Sequence, residues 1–90
     1  MADKIYTPGD LIKRIGKGLN HDKLSYFVRE GYIEPRKQQR GGQIYKSYTE
    51  SDFWIVNRAM TYIDKYQTRP RAAFEKARTD YGQRELDLGL

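Results

Sequence analysis

Glycine and proline residues divide the first half of this chain into short segments. The breaks fall at Gly16 and Gly18, at Gly31, at Pro35 and at the glycine pair 41–42. Glycine favours helix C-termini and tight turns, and proline cannot continue a helix, so each break predicts the end of an element. We therefore expect several short elements here rather than one long helix.

The first two segments have the apolar spacing of amphipathic helices. Thr7 is the predicted N-cap of the first helix, with Pro8 at its first position, and Asn20 is the predicted N-cap of the second. The apolar faces are formed by Leu11, Ile12 and Ile15 in the first helix and by Leu24, Phe27 and Val28 in the second. Two short helices joined by a tight turn at 16–19 form a helix-turn-helix pattern.

After Pro35 the pattern becomes that of a β-hairpin. The glycine pair 41–42 separates a polar run from the segment "IYKSY", and a Gly-Gly pair between two such runs is typical of a hairpin turn. We expect the first strand to begin as early as Tyr32 or Ile33. Alternation places Tyr45 and Ser47 on one face of the hairpin, and Lys46 and Tyr48 on the other.

Two more helices are predicted in the second half. Thr49 and Asp52 have the spacing of a capping box, and a last helix is expected to start at Thr68 or Arg69 and to end at Gly82. The inner faces are predicted to be Phe53, Val56, Ala59, Met60 and Ile63 in the first of these helices, and Ala73, Phe74, Ala77 and Tyr81 in the last. Tyr48 is assigned to the core, and Trp54 to the core or to a subunit contact.

The predicted fold is mainly α with a β-hairpin, in the order α-α-β-β-α-α. Four helices and a two-stranded wing make a winged helix-turn-helix, with one domain over residues 1–82 and a short tail over 83–90.

Charge and composition limit the functions that this fold could serve. The net charge is +5, and residues 1–50 hold ten Lys and Arg against six Asp and Glu. A basic half indicates an acidic partner such as nucleic acid, although a solvated basic surface is the alternative. The lack of cysteine excludes disulfides and thiolate metal sites, and the single histidine gives no catalytic or metal-binding cluster. We expect no enzyme activity, no cofactor and no small-molecule effector.

The N-terminal segment "MADKIYTPGD" has no apolar run, and no stretch approaches the roughly 18 apolar residues of a membrane span. The sequence therefore predicts a protein that has no signal peptide and no membrane partner, and the lack of cysteine fits the reducing cytoplasm.

Several motifs, in order, resemble the DNA-binding domain of the MerR family of bacterial transcription regulators. "YTPGDLIK" at 6–13 is similar to the family's Tyr-x-x-Gly-Glu-Leu-Ala-Lys. "GLNHDKLSYFVREGYIEP" at 18–35 matches Gly-Val-Ser-x-x-Thr-Leu-Arg-Tyr-Tyr-Glu-x-x-Gly-Leu-Leu-x-Pro without a gap. "YKSYTESD" at 45–52 is similar to the wing ending Gly-Tyr-Arg-x-Tyr-x-x-x-Asp. The resemblance covers roughly residues 5–80 and implies a winged helix-turn-helix that binds double-stranded DNA.

The chain also departs from the family pattern. Ser25 stands where the family usually has Arg, Phe27 replaces the second Tyr, and Val28 replaces a Glu. The first turn, "IGKG", is two residues longer. The family's dimerising helix and effector domain have no counterpart in these 90 residues, so the resemblance does not extend to effector response.

The predicted DNA contacts fall in three groups. The outer face of the second helix supplies base-reading or phosphate-binding side chains: His21, Lys23, Ser25, Tyr26 and Arg29. The wing supplies Arg36, Lys37, Arg40, Tyr45 and Lys46. The start of the last helix supplies Thr68, Arg69 and Arg71, where helix N-termini favour phosphate. The resemblance implies DNA contact by Tyr26 and Arg29, and phosphate contact by Tyr45 and Lys46.

Structural roles are open for the same groups. Lys23 could belong to a solvated helix face, the wing could be a charged edge hairpin, and Thr68 could be a plain N-cap.

We expect a sequence-specific DNA-binding protein, most simply a small transcription regulator that acts as a homodimer or as side-by-side cooperative monomers. The alternatives are an architectural or accessory factor, such as an excisionase-like, plasmid-transfer or DNA-packaging subunit, and a protein-interaction module on the same scaffold.

Overall fold

The structure is a computed structural model that describes residues 4–87, with the side chains at positions 85 and 87 excepted. Its elements follow the predicted order of two helices, a hairpin and two helices. They are α1 (Pro8–Ile15), α2 (His21–Arg29), β1 (Arg36–Arg40), β2 (Gln43–Ser47), α3 (Glu50–Tyr66) and α4 (Pro70–Asp87).

Side-chain caps fix where the first three helices begin. The Thr7 and Asp10 pair and the Thr49 and Asp52 pair each form a reciprocal capping box, and the Asn20 side chain accepts a hydrogen bond from the Lys23 backbone N–H at 2.8 Å. These bonds satisfy backbone donors that have no partner within the helix. The three predicted N-caps, Thr7, Asn20 and Thr49, are confirmed.

One apolar core joins all four helices. Its members on the first two helices and the adjoining loops are Tyr6, Leu11, Ile15, Leu19, Leu24, Phe27, Ile33 and Tyr48. On α3 and α4 they are Ile55, Val56, Ala59, Met60, Ala73, Phe74 and Ala77. The predicted helix faces all pack in or against this core, and the assignment of Tyr48 to the core is confirmed. Several of the predicted residues are only partly buried at its edge: Ile12, Val28, Phe53, Trp54, Ile63 and Tyr81.

The hairpin turns through the glycine pair, as predicted. Gly41 and Gly42 both have positive φ, 54° and 81°, so a two-residue turn connects Arg40 to its partner Gln43. The first strand does not begin at Tyr32 or Ile33. The Tyr32 backbone N–H instead donates a hydrogen bond to the Phe27 carbonyl of α2 at 2.9 Å. Strand pairing starts at Arg36.

The antiparallel β structure has three chain segments rather than the two predicted. Tyr6 and Tyr48 exchange two backbone hydrogen bonds of 2.8 Å, which adds the segment before α1 to the end of the hairpin. The sequence does not predict this pairing, because a single bridging residue has no periodicity to reveal it.

The prediction that Gly82 ends the last helix is wrong, since α4 runs through Gly82 to Asp87. A helical glycine costs only about 0.5–1 kcal/mol, and the residues that follow it, Gln83, Arg84 and Leu86, are good helix formers. The predicted tail therefore begins as helix, and positions 88–90 lie outside the described residues.

Candidate nucleic-acid interface

The first half of α2 presents an exposed polar face. His21, Lys23 and Ser25 are all exposed, while Leu24 and Phe27 hold the opposite face in the core. The Asn20 cap keeps this helix start in place without using any of the three side chains. The N-terminal residues of a recognition helix are the ones that reach base edges in the major groove, so this face has the exposure such a role needs.

Tyr26 and Arg29 lie at the other end of α2 and are supported by aromatic packing. The Arg29 guanidinium carbon lies 5.7 Å from the centroid of the Tyr26 ring, and the Tyr26 ring meets the Tyr32 ring edge-on at 6.1 Å. Burial, and then the hydrogen bond with Tyr26, raise the pKa of the Tyr32 hydroxyl. Tyr26 is 37% exposed and packs against Tyr32, and its ring holds Arg29 at the surface.

The hairpin carries its cations on two faces. Arg36 and Arg40 share one face with Tyr45, because Gln38 is the cross-strand partner of Tyr45 and alternate residues point the same way. Lys37 and Lys46 are directly opposite each other on the second face. All five predicted hairpin contacts are exposed.

Two open cavities connect the hairpin to the first two helices. Lys37 shares one of about 480 Å³ with Val28 and Gly31 at the end of α2. Arg40, Tyr45 and Lys46 line another of about 660 Å³ together with Thr7 and Pro8 at the start of α1. The hairpin therefore borders the end of α2 through Lys37 and the start of α1 through its other cations.

The segment at the start of α4 is divided by the structure. Arg71 lines a cavity of about 400 Å³ with Glu30 and Tyr32, which places it beside the end of α2. Thr68 faces elsewhere, into a cavity of about 550 Å³ between α3 and α4. Arg69 is exposed and directly precedes Pro70, the first residue of α4, and its carbonyl accepts a hydrogen bond from the Ala73 backbone N–H at 2.8 Å.

Few carboxylates neutralise these cations. Among the residues that the structure describes, Arg36, Lys37 and Lys46 form no ion pair, whereas Arg71 pairs with Glu75 at 3.4 Å across an exposed helix turn. Directly opposed lysines repel each other in a sheet, and an anion bound between them would relieve that repulsion. The hairpin is therefore better suited to a polyanion than to packing against the rest of the chain.

Two positioning residues, Tyr32 and Lys17, were not predicted from the sequence. Tyr32 stacks on Phe74 with ring centroids 5.5 Å apart, and its carbonyl accepts a hydrogen bond from Arg78. Lys17, in the turn between α1 and α2, donates to the Asn57 side chain on α3 at 2.6 Å. The sequence signal for Tyr32 was an aromatic residue directly after Gly31, the glycine that follows α2. The Lys17 contact has no such signal, because it depends on how the turn packs against α3.

Within residues 4–87 no group of three or more His, Cys, Asp or Glu side chains is placed to hold a metal ion. In the same part of the chain, every helix is too short or too polar to cross a lipid bilayer. Comparisons with protein-family models, curated proteins and solved structures returned no match to this chain.

Proposed function

We propose that this protein binds double-stranded DNA sequence-specifically as a winged helix-turn-helix of the MerR type and serves as a small bacterial transcription regulator. The proposal is carried by the surface that consists of the exposed polar face of α2 and the exposed hairpin cations. Among the described residues Arg36, Lys37 and Lys46 form no ion pair, and Lys37 lies beside the end of α2. A helix in the major groove beside a basic hairpin on the backbone is the arrangement by which winged helices bind a duplex.

The two parts of this surface have different roles. His21, Lys23 and Ser25 read base edges, because they stand at the N-terminal end of α2. Arg29, Lys37 and Lys46 bind phosphates and set the position of α2 in the groove. Of the remaining predicted contacts, Arg36, Arg40 and Tyr45 extend phosphate binding along the hairpin, and Arg69 and Arg71 extend it past the end of α2, with Thr68 at the margin. Tyr26 supports Arg29.

The protein acts on DNA as a homodimer or as side-by-side monomers, in the cytoplasm and on the nucleoid. Selection of bound duplexes from a random pool tests both the specificity and the assembly. A palindromic consensus indicates a dimer, and a direct repeat indicates head-to-tail monomers. Recovery of no consensus would contradict sequence-specific binding.

Paired substitutions test the surface itself. Arg29→Ala with Lys46→Ala should weaken binding of the selected duplex about 10- to 100-fold, because each lost cation contact costs roughly 1 kcal/mol or more. Lys76→Ala with Arg84→Ala removes the same charge from α4, outside the proposed contacts, and should leave affinity nearly unchanged. Fluorescence anisotropy at low ionic strength measures both. Equal losses in the two double variants would show that net charge alone governs binding and would refute the assigned surface.

A further inference from the structure

A line of aromatic and cationic side chains runs along α3. Trp54, Arg58, Tyr62 and Tyr66 recur at every fourth residue, so they lie one above another on the helix. The Arg58 guanidinium carbon lies 5.7 Å from the centroids of both the Trp54 and the Tyr62 rings. The Tyr62 and Tyr66 rings are 6.1 Å apart, which makes the line continuous.

Helix α4 adds two more cations to this line. The Lys76 ammonium lies 5.7 Å from the Tyr62 centroid, and the Arg84 guanidinium lies 5.9 Å from the Trp54 centroid. Together these residues form what we call the α3–α4 surface: Trp54, Arg58, Tyr62, Tyr66, Lys76 and Arg84.

The α3–α4 surface is concave, and hydrogen bonds to Asp80 hold its central side chains in place. Two cavities of about 550 and 280 Å³ lie along it and meet at Arg58. Asp80 fixes their junction, because its Oδ2 atom accepts hydrogen bonds from Arg58 Nε at 3.1 Å and from the Tyr62 hydroxyl. A binding partner would therefore meet side chains that are already ordered, which lowers the entropic cost of association.

Apart from Thr68, which lines the cavity of about 550 Å³, this surface shares no residue with the proposed DNA interface. On α4 the buried residues Ala73, Phe74 and Ala77 lie between two flanks. Arg71 lies on the flank that faces Tyr32 and the end of α2, whereas Lys76 lies on the flank that faces α3. Helical spacing of 100° per residue puts these flanks on opposite sides of the buried stripe.

We propose that the α3–α4 surface docks an acidic segment of a partner protein. Trp, Tyr and Arg are the residues that dominate the energetics of protein interfaces. Among the described side chains that line the two cavities, four are cations, Arg58, Lys65, Lys76 and Arg84, and one is a carboxylate, Asp80. Carboxylates bind guanidinium groups with paired, charge-assisted hydrogen bonds, so an acidic peptide complements this surface.

Stacking of nucleic-acid bases fits the same surface less well. Base stacking needs free aromatic faces, but cations of this chain lie over the rings of Trp54, Tyr62 and Tyr66. A carboxylate reaches those cations without displacing them. The 61% exposure of Tyr66 leaves room for an apolar side chain of the acidic segment at one end.

Trp54 is the only tryptophan of the chain, so its fluorescence reports on this surface alone. The full chain is titrated with a synthetic peptide of Glu, Asp and Leu residues, and with a control peptide in which Gln and Asn replace the acids. We expect a saturable fluorescence change with the acidic peptide only. It should persist when the protein is bound to duplex DNA.

Matched double variants then locate the binding. Lys76→Ala with Arg84→Ala should weaken peptide binding about tenfold or more, while Arg29→Ala with Lys46→Ala should leave it unchanged. Circular dichroism checks that both variants remain folded. The proposal fails if the acidic peptide gives no saturable change, if both double variants lose the same affinity, or if single-stranded DNA produces the saturable change and the peptide does not.

Discussion

At the scale of single residues, Phe74 joins α4 to α2 and to the segment that follows α2. Its ring lies 4.9 Å from the Phe27 centroid and 5.5 Å from the Tyr32 centroid, and only 1% of the residue is exposed. The three rings form the side of the core that supports Tyr26 and Arg29. The position of the proposed DNA contacts on α2 therefore depends on the packing of Phe27, Tyr32 and Phe74 on the core side of the helix.

Phe74→Ala should lower the free energy of unfolding by about 3–5 kcal/mol, because it leaves a cavity among close-packed rings. Tyr66→Ala removes a ring that is 61% exposed and should change stability by less than about 0.5 kcal/mol. Urea denaturation of both variants measures the difference. Similar losses for the two substitutions would contradict the assignment of Phe74 to the core.

Phe27 shows what could be read from the residues and what could not. Its place in the apolar stripe of α2 was predicted by helical spacing, and it is buried. The sequence also marked it as a departure from the MerR pattern that lacks a hydroxyl. Helical periodicity could not predict which residues Phe27 contacts, because its neighbour Phe74 lies far away in the sequence.

At the scale of elements, two glycines show why one residue type marks a turn in one place and not in another. Gly42 has φ of 81° at the hairpin tip, whereas Gly82 lies within α4 and is absent from the residues with positive φ. A methyl group added at either position would meet no atom within 4 Å. The difference between the two sites is therefore one of backbone conformation.

The same substitution should have opposite effects at these positions. Gly82→Ala should stabilise the protein by about 0.5–1 kcal/mol, since it reduces the entropy lost on forming α4. Gly42→Ala should destabilise the hairpin by about 1–2 kcal/mol, because alanine resists the left-handed conformation. Urea denaturation reports the first change, and amide hydrogen exchange in β1 and β2 reports the second. A gain in hairpin protection from Gly42→Ala would contradict the observed turn.

The junction of α3 and α4 should make stability depend on pH. The hydrogen bond from Tyr62, followed by the interactions with Arg58, lowers the pKa of Asp80 below its ordinary 3.8. Because the pKa is lower in the folded state, the contribution is complete well above the unfolded value and is lost as the pH falls through the folded one. Hydrogen bonds from Thr7 lower the pKa of Asp10, which adds to the same acid-side loss.

Asp80→Asn should therefore lower stability at neutral pH and flatten the loss of stability below about pH 4. Asp64→Asn is the matched control, since Asp64 is an exposed residue of α3 that takes part in no ion pair among the described residues. Urea denaturation from pH 7 to pH 3 gives both curves. If both variants follow the same curve, the Asp80 network does not couple α3 and α4.

At the scale of the whole molecule, local chemistry predicted most of the fold. Capping residues, apolar stripes and the glycine pair located all four helices and the hairpin turn. One error, the pairing of Tyr6, depends on a contact between distant parts of the chain. The other two concern the ends of elements: the start of β1, which follows the local closure of α2, and the extension of α4 past Gly82. The site was predicted as a set of exposed residues, and the division of Thr68 from Arg71 could only come from the packing of α4 against two neighbours.

Binding of the whole surface to DNA should depend steeply on salt. If about six cations contact phosphates, the logarithm of the association constant should fall against the logarithm of salt concentration with a slope near −5. Arg29→Ala with Lys46→Ala should reduce the steepness by about 2, whereas Lys76→Ala with Arg84→Ala should leave it unchanged. Anisotropy titrations across a salt series measure the slope. A slope close to zero would show that phosphate contacts contribute little.

The bridge between Tyr6 and Tyr48 has a consequence for mechanical load. Because these residues exchange two backbone hydrogen bonds, the chain from 6 to 48 forms a closed ring that contains α1, α2 and the hairpin. A pull on the hairpin reaches α3 along two routes: the covalent chain after Tyr48, and the bridge to Tyr6, whose hydroxyl donates a hydrogen bond to Glu50 of α3 at 2.9 Å. The bridge should therefore raise the force that is needed to separate the hairpin from the helices.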